Sequence, residues 1–467
     1  MMHKFSTGLF KALFSVAVLA LLFTSCKKDE ESIIPAVSTD RSALYFDGPS
    51  TTQSLTFWAE RAVGLTMTGA PNGWDVKYDF AAGTIWVTSP AADNDSADAS
   101  GTISFYVYSS TSNAALFEVF VSTIYPQSLA DQRANCYLLT EAKKSYCFPV
   151  KFRGESDQPI DVERVELLWQ DRSNLISYIE MMDQEQVSFF VEADSKGKLQ
   201  PGNALLGGYD QAGNLLWTWH LWVTSSEPQA VGRYMDRNLG ADGVNHATEE
   251  EILRAYGMYY QWGRMTPFAG PKYYNCGSAA TADLFLIYGT RYVNISYLTA
   301  DTERATTEYA LSHPLVYLLS EESLAYDWNA VHPTDLWSSD HKTLYDPCPK
   351  GWRVADNFDD LAFAGNSTDD LSVLKKQFGW ELTDGENLLF FPACGRRSWL
   401  QGTITNVNMA ENPQPWIGYY WTASAEADHL SRALYFSLDT EDPAASEFDP
   451  ALASPRANGM QVRCIKE

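Results

Sequence analysis

Cysteines stand at positions 26, 136, 147, 276, 348, 394 and 464 of the 467-residue chain. No two are spaced Cys-x-x-Cys, so the sequence contains neither a redox dithiol nor a zinc knuckle. Cys26 ends an apolar run and stands apart. The other six could form disulfides in an exported chain, and spacing alone leaves their pairing open. Cys136 and Cys147 could staple a local hairpin; Cys276 and Cys394 could pair or remain buried thiols. Beyond residue 25, histidines stand at 220, 246, 313, 332, 341 and 429. None belongs to a His-Glu-x-x-His motif, and neither Gly-x-Ser-x-Gly nor a phosphate loop occurs. Adjacent acids (Asp359-Asp360, Asp369-Asp370, Glu441-Asp442) are the residue type of glycosidases, but with 59 acidic residues such pairs read as solvated loops. A non-enzymatic protein is expected.

Charge narrows the partners. Lys plus Arg number 34 against 59 acids, a formal net charge of −25. Phosphate binding needs Lys and Arg to displace counterions, so nucleic acid is excluded as the main partner. Apolar residues at 45% with charged residues at 20% describe a folded chain rather than a disordered one. The length allows several domains.

The N-terminus reads as an address. Lys4 and Lys11 precede Ala12–Phe23 (ALFSVAVLALLF), an apolar core of signal-peptide length that is too short for a stable membrane span. Phe23-Thr24-Ser25-Cys26 resembles a lipobox, which implies cleavage before Cys26 and acylation of that residue. The signal peptide is then residues 1–25 and the tether 26–39. Lys27-Lys28-Asp29-Glu30-Glu31 resembles the tag that follows the lipidated Cys in surface-exposed lipoproteins of the Bacteroides group. The resemblance implies a chain held by outer-membrane lipid and facing the cell exterior. Loss of Lys4 and Lys11 brings the charge to −27.

Period-two patterning fills the next 190 residues. In residues 40–126 the clearest strands are Thr102–Tyr108 (TISFYVY) and Leu116–Thr123 (LFEVFVST). Strands at this spacing over about 85 residues suggest an immunoglobulin-like sandwich, with Trp74 and Trp86 in its core. The segment is similar to BACON-type and related Ig-like modules. Residues 134–226 form a second β segment, with candidates Cys136–Thr140, Tyr146–Phe152, Val165–Trp169 and Val187–Glu192. Gly202–Tyr209 and Leu215–Val223 flank Asp210-Gln211-Ala212-Gly213-Asn214, a hairpin signal. Leu215–Val223 (LLWTWHLWV) is apolar on both faces, as a strand sandwiched between two layers would be. The Ala134-Asn135-Cys136-Tyr137 opening and the Gly213–Trp222 run resemble a module of fimbrillin-like surface lipoproteins.

Six ordered phrases occupy residues 230–467: Met235–Ala241 (MDRNLGA), Tyr256–Arg264 (YGMYYQWGR), Thr343–Val354 (TLYDPCPKGWRV), Phe390–Gly395 (FFPACG), Gly418–Thr422 (GYYWT) and Gly459–Ile465 (GMQVRCI). Together they resemble the Fibrobacter succinogenes major paralogous domain, FISUMP, which implies an α+β, C-type-lectin-like fold related to formylglycine-generating enzymes. The resemblance implies a Cys348–Cys464 disulfide and structural roles for Arg237 and Arg353. Thr248 can cap a helix starting Glu249-Glu250-Glu251. Asp356 or Asn357 can cap a second that buries Phe358, Leu361 and Ala362, although Ala355-Asp356-Asn357-Phe358 departs from the family pattern. Leu371, Leu374 and Phe378 mark a third helix.

The fold class expected is therefore multidomain, two all-β Ig-like sandwiches followed by an α+β C-type-lectin-like domain. Loops between the late strands make the binding face of such domains. Here that implies Arg396, Trp399, Trp416, Tyr419, Arg432 and Tyr435 as ligand residues, with Tyr420 and Trp421 in the core. C-type-lectin-like loops also bind Ca²⁺, for which Asp439, Glu441, Asp442, Glu447 and Asp449 are the candidates. A solvated loop is the expectation there, with no metal and no cofactor. The expected function is adhesin-like binding of an extracellular glycan or a surface protein. A pilus-associated structural subunit is the alternative, and a formylglycine-generating-type enzyme the second. Cys26→Ala should abolish metabolic labelling with palmitate and release the chain from the membrane fraction; continued membrane attachment would reject the lipobox.

Overall fold

The computed structural model describes residues 34–110, 113–271, 283–286, 292–364, 379–405, 416–426, 429–439 and 445–467. Cys26 and the signal peptide, Cys276, the expected helix at 371–378 and the carboxylates Asp369, Asp370, Glu441 and Asp442 lie outside the described residues. The chain divides into two units, Met1–Pro126 and Gln127–Glu467. Strand dominates both, so the protein is nearly all β.

In the first unit, alternation builds two four-stranded sheets. One has the order β1 (Ala36–Thr39), β3 (Thr52–Glu60), β6 (Thr84–Thr88), β5 (Asp75–Asp79). The other runs β2 (Ala43–Tyr45), β8 (Ala114–Ser122), β7 (Ser100–Tyr108), β4 (Gly64–Gly69). Ile103, Phe105 and Val107 of β7 are wholly buried, as are Val119 and Val121 of β8. Phe105 stacks on Phe117 with ring centroids 5.0 Å apart. Trp74 lies in this core: it meets Phe46 at 5.2 Å, and its Nε1 donates to the Asp98 carbonyl at 2.8 Å. Trp86 does not, contrary to expectation. Ile85 and Val87 take the inward positions of β6, so period two turns the residue between them outward, 39% exposed.

The second unit opens with two more sheets, of order β10 (Cys136–Leu139), β16 (Leu215–Val223), β15 (Gly202–Tyr209), β12 (Arg164–Gln170) and β13 (Ile176–Met182), β14 (Gln186–Val191), β11 (Lys144–Pro149), β9 (Gln127–Ser128). The sequence reading missed β13. The β15–β16 turn closes through Asp210, whose Oδ1 accepts from the Asn214 amide at 2.8 Å, with Gly213 at φ +89°. Trp219 lies across Gly208, where an added Cβ would come within 2.8 Å of its ring.

Strand β16 is buried on both faces. Trp217, Trp219, Leu221 and Val223 join the core between these two sheets, while Trp222 enters a second core built with later residues. Two of its polar groups find buried partners, while His220 Nδ1 has none among the described residues. The Trp222 indole donates to the Ala241 carbonyl at 2.9 Å, and His220 Nε2 lies 2.9 Å from Asn203 Oδ1. Asn203 Nδ2 in turn donates to Asp171 Oδ2 and to the Gly240 carbonyl, each at 3.0 Å. Residues 134–226 and 230–467 thus belong to one packed unit.

The remaining chain forms a four-stranded sheet β17 (Ala230–Val231), β18 (Tyr234–Met235), β32 (Cys464–Lys466), β22 (Trp352–Val354) and a larger sheet β27 (Ile404–Thr405), β26 (Arg396–Arg397), β31 (Gly459–Val462), β28 (Trp416–Ala425), β29 (Leu430–Leu438), β30 (Glu447–Pro455), with β19 (Tyr260–Gln261) also on β31. Smaller sheets join β20 (Ser296–Thr299) to β21 (Val316–Leu319), and β23 (Ala362–Phe363) through β24 (Gly379–Thr383) to β25 (Leu388–Pro392). Helix α1 (Glu249–Ala255) starts at Thr248 with a complete capping box to Glu251, and Thr306 caps α2 (Thr307–Ser312). In the described residues that follow Gly351-Trp352-Arg353, up to 364, there is no helix. Arg233 donates to the Asp356 carboxylate at 2.6 Å and to Asn357 Oδ1 at 3.1 Å, and Asn357 Oδ1 also accepts from the Asp359 amide at 3.2 Å, which closes a turn there. Phe358 and Leu361 are buried from a turn, and Ala362 enters a strand.

Cys348 and Cys464 are disulfide-bonded across 116 residues, with Cα atoms 6.2 Å apart. Cys136 is a buried thiol and Cys147 lies in the opposite sheet, so the local staple does not form. Cys394 is also a buried thiol.

Burial drives the His220 imidazole down to about 3. The unfolded chain protonates near 6.5, so the neutral imidazole's contribution is complete above that pH and is lost as pH falls from about 6.5 towards 3, by up to ~1.4 kcal/mol per pH unit. Denaturant unfolding across that window should show this slope, and His220→Gln should flatten it.

Candidate functional site

Four strands of the larger sheet bring one row of side chains together. Gly395 bridges to Gly418, its amide donating to the Ile417 carbonyl at 2.8 Å, and this brings the start of β26 against β28 just before β31 enters between them. Gly418 is required there because Phe436 lies across it; an added Cβ would fall 2.2 Å from that ring. The next residue on each side starts the row. The Arg396 guanidinium stacks 4.7 Å above the Tyr419 ring. Tyr419 faces Tyr435 directly across β28–β29, with centroids 5.3 Å apart. The Tyr435 hydroxyl donates to Glu447 Oε2 on β30 at 2.9 Å. Arg396, Tyr419 and Tyr435 were expected in loops between the late strands; all three lie on strands instead, because their backbones pair in the sheet. Glu447 enters as an acceptor for Tyr435, a role that nothing in its local sequence signals.

Burial graduates along the row. Tyr419 is buried, whereas Arg396 and Tyr435 are half-buried. Burial raises the Tyr419 phenol and Arg396 partly offsets that rise. Burial, and then the hydrogen bond to Glu447, push Tyr435 up to about 12. The two adjacent arginines contrast. Arg397 is buried and donates to the Tyr297 hydroxyl at 2.8 Å, to the Gly402 carbonyl at 2.8 Å and to the Ala269 carbonyl at 2.9 Å. The Arg396 guanidinium has the Tyr419 ring and no carboxylate among the described residues. Tyr420 points the other way, into the core under β25, and the Trp421 indole donates to the Tyr260 carbonyl at 2.9 Å.

The remaining expected ligand residues lie elsewhere. Trp399, in the turn between β26 and β27, rests against Tyr326 with centroids 4.7 Å apart, and its amide donates to Asn458 Oδ1 at 3.0 Å. Tyr326 was not anticipated; it sits in a loop with no pattern to mark it. Arg432 is exposed and ion-paired with Glu426. Trp416 begins β28, and its side chain lies outside the described residues. Of the acids expected in a loop, Glu447 and Asp449 lie on β30, where Glu447 serves Tyr435 and Asp449 accepts from the Ala451 amide at 2.9 Å. Among the described residues no three metal-ligating side chains converge.

The framework arginines are tied down. Arg237 donates to the Asp236 carboxylate, the Thr224 hydroxyl and the Ser226 carbonyl, and Arg353 lies 3.5 Å from Asp356. Cys394 is enclosed between the Pro392 carbonyl and Asn238, and burial raises its thiol well above the ordinary range. Cys464 is held in the disulfide.

No family model matches the chain, and no curated protein does. Similar solved structures include an endo-fucoidan hydrolase of glycoside hydrolase family 107 (16% identity, 40% of this chain and 34% of that chain, TM-score 0.16). Others are the D00-D0 domain of intimin (10%, 40% and 96%, 0.16) and a Bacteroides ovatus mixed-linkage glucan utilization locus SGBP-B in complex with a mixed-linkage heptasaccharide (9%, 42% and 46%, 0.12). The chain spans about a third of the length of the fucoidan hydrolases it matches. TM-scores this low carry no argument about fold or function.

Tyr435→Phe deletes the hydrogen bond to Glu447 and keeps the ring contact. At this half-exposed position it should cost about 0.5–1 kcal/mol in denaturant unfolding, and Tyr435→Ala should cost more through lost packing on Tyr419.

Proposed function

We propose that this chain is a non-enzymatic surface lipoprotein, anchored in the outer membrane through acylated Cys26 and facing the cell exterior. Its C-terminal part is a C-type-lectin-like domain of the FISUMP kind. It binds an extracellular ligand, for which a glycan is the first choice and a surface protein the second. The lipobox-like Phe23–Cys26 segment and the acidic tag behind it support the location. The six ordered phrases support the family.

The observation that carries the binding reading is the row Arg396–Tyr419–Tyr435–Glu447, placed on rigid strands. Aromatic rings offer flat apolar faces to the C–H face of a pyranose, while a guanidinium and a carboxylate offer a donor and an acceptor for hydroxyl groups. Strand-borne side chains hold such a constellation more closely than loop-borne ones. Trp399, backed by Tyr326, supplies a second and separate aromatic contact.

A glycan array probed with the mature protein and with Tyr435→Ala and Trp399→Ala tests both contacts. Signal lost in Tyr435→Ala and kept in Trp399→Ala assigns binding to the row; the reverse assigns it to the turn. Identical signals from all three proteins, or none from any, reject the glycan site. Protease shaving of intact cells tests the location, and full protection of the chain would move it to the periplasmic side.

A further inference from the structure

We infer that the row selects a glycan bearing a carboxylate, a uronic or nonulosonic acid residue, with Arg396 as the group that holds the acid; this rests on the glycan-binding reading above. The state of the guanidinium is the reason. An arginine has five N–H donors in a rigid fork, and a buried or half-buried one normally satisfies them with carboxylates or carbonyls. Arg397 places both terminal nitrogens, on the Gly402 and Ala269 carbonyls and the Tyr297 hydroxyl, and leaves only its Nε without a partner. Arg233, Arg237 and Arg456 do so as well, each with a carboxylate within reach. Arg396 departs from the pattern, as does Arg153, which lies over Trp217 in the N-terminal part of the same unit. Arg396 is half-buried, its side chain makes no hydrogen bond or ion pair among the described residues, and its guanidinium lies on the face of Tyr419.

That stack fixes the orientation of the guanidinium plane without consuming its N–H edge. An oriented cation with an unconsumed edge suits a bidentate pair with a planar carboxylate. Beside it, Tyr435 is half-exposed and turned into the same row by Tyr419, so a pyranose ring resting on Tyr435 would carry its acid group towards Arg396. Glu447 accepts from the Tyr435 hydroxyl at the far end and marks that end unfavourable for an acid. The row is therefore polar end to end, cationic at Arg396 and anionic at Glu447, and it admits an acidic sugar in one direction only. The protein as a whole carries −25, so long-range charge opposes an acidic ligand and the selectivity comes from the local pair.

Calorimetric titration of the mature chain with oligogalacturonate and with its carboxyl-reduced neutral counterpart tests this, with sialyllactose and lactose as a second matched pair. At least one acidic probe should bind about tenfold or more tightly than its neutral partner, with affinity falling as salt rises. Arg396→Gln should weaken the acidic member of each pair more than the neutral one and bring the two to within about twofold of each other. Arg396→Lys should recover only part of it, because a point charge lacks the fork and the flat face that stacks on Tyr419. Arg396 makes no side-chain hydrogen bond among the described residues, so both variants should fold, which near-UV circular dichroism checks. Equal affinity for both members of each pair, or acid preference unchanged in Arg396→Gln, overturns the acid assignment and leaves glycan binding standing. Silence of all four probes together with a blank glycan array overturns both.

Discussion

Strand β16 has no solvent face, and the second unit depends on that. One side of LLWTWHLWV closes the sandwich formed with β11 and β14; the other side is covered by residues from 230 onwards. Each fully buried indole removes about 150–250 Å² from water, worth several kcal/mol at ~25 cal/mol per Å². Separating the two layers would expose Trp222 and strand the buried polar atoms of His220, Asn203 and Asp171. The cost of an unmatched buried polar group makes such a seam hold in one arrangement.

Two further groups sew the same seam. Asn135, in the turn before β10, accepts from the Trp217 indole at 3.0 Å and donates to the Leu344 and Asp346 carbonyls. Lys342 is almost wholly buried; its ammonium donates to the Cys348, Pro349 and Trp352 carbonyls and lies 3.3 Å from Glu155. Asp346 accepts from the Cys348 and Val354 amides and so shapes the loop that presents Cys348 to Cys464. The disulfide closes a span of 116 residues, which on the chain-entropy account restrains the unfolded state by about 4–5 kcal/mol. The strands that carry the Arg396–Glu447 row are tied to this frame through β31, which joins directly to the bridged β32.

The row is the part of this frame that faces outward with chemistry still available. Its rings are held by cross-strand pairing and its charge by stacking, so little reorganisation is needed to meet a ligand. Among the surrounding arginines, Arg397 holds the Gly402 and Ala269 carbonyls, Arg456 holds the Pro333 carbonyl and the Asp327 carboxylate, and both act as struts.

Local pattern sufficed where one periodicity met one environment. Alternation in TISFYVY fixed which residues of β7 are buried, the Asp-x-x-Gly-Asn segment fixed the β15–β16 turn, and Thr248 with Glu251 fixed the start of α1, because each depends on neighbours a few residues away. Period two also turned Trp86 outward, against the habit of placing tryptophan inside. Distant partners decided the rest. Asp356 and Asn357 were candidate helix caps, but in the fold both side chains also bind Arg233, over a hundred residues earlier, and the chain turns there. Composition could count the arginines; only the folded chain determined that Arg397 is buried and holds Tyr297, Gly402 and Ala269 while its neighbour Arg396 rests on Tyr419 with no hydrogen bond among the described residues. The reason is the same in each case: a hydrogen-bonding group goes to whichever partner the tertiary packing brings within reach, and the sequence lists candidates without distances.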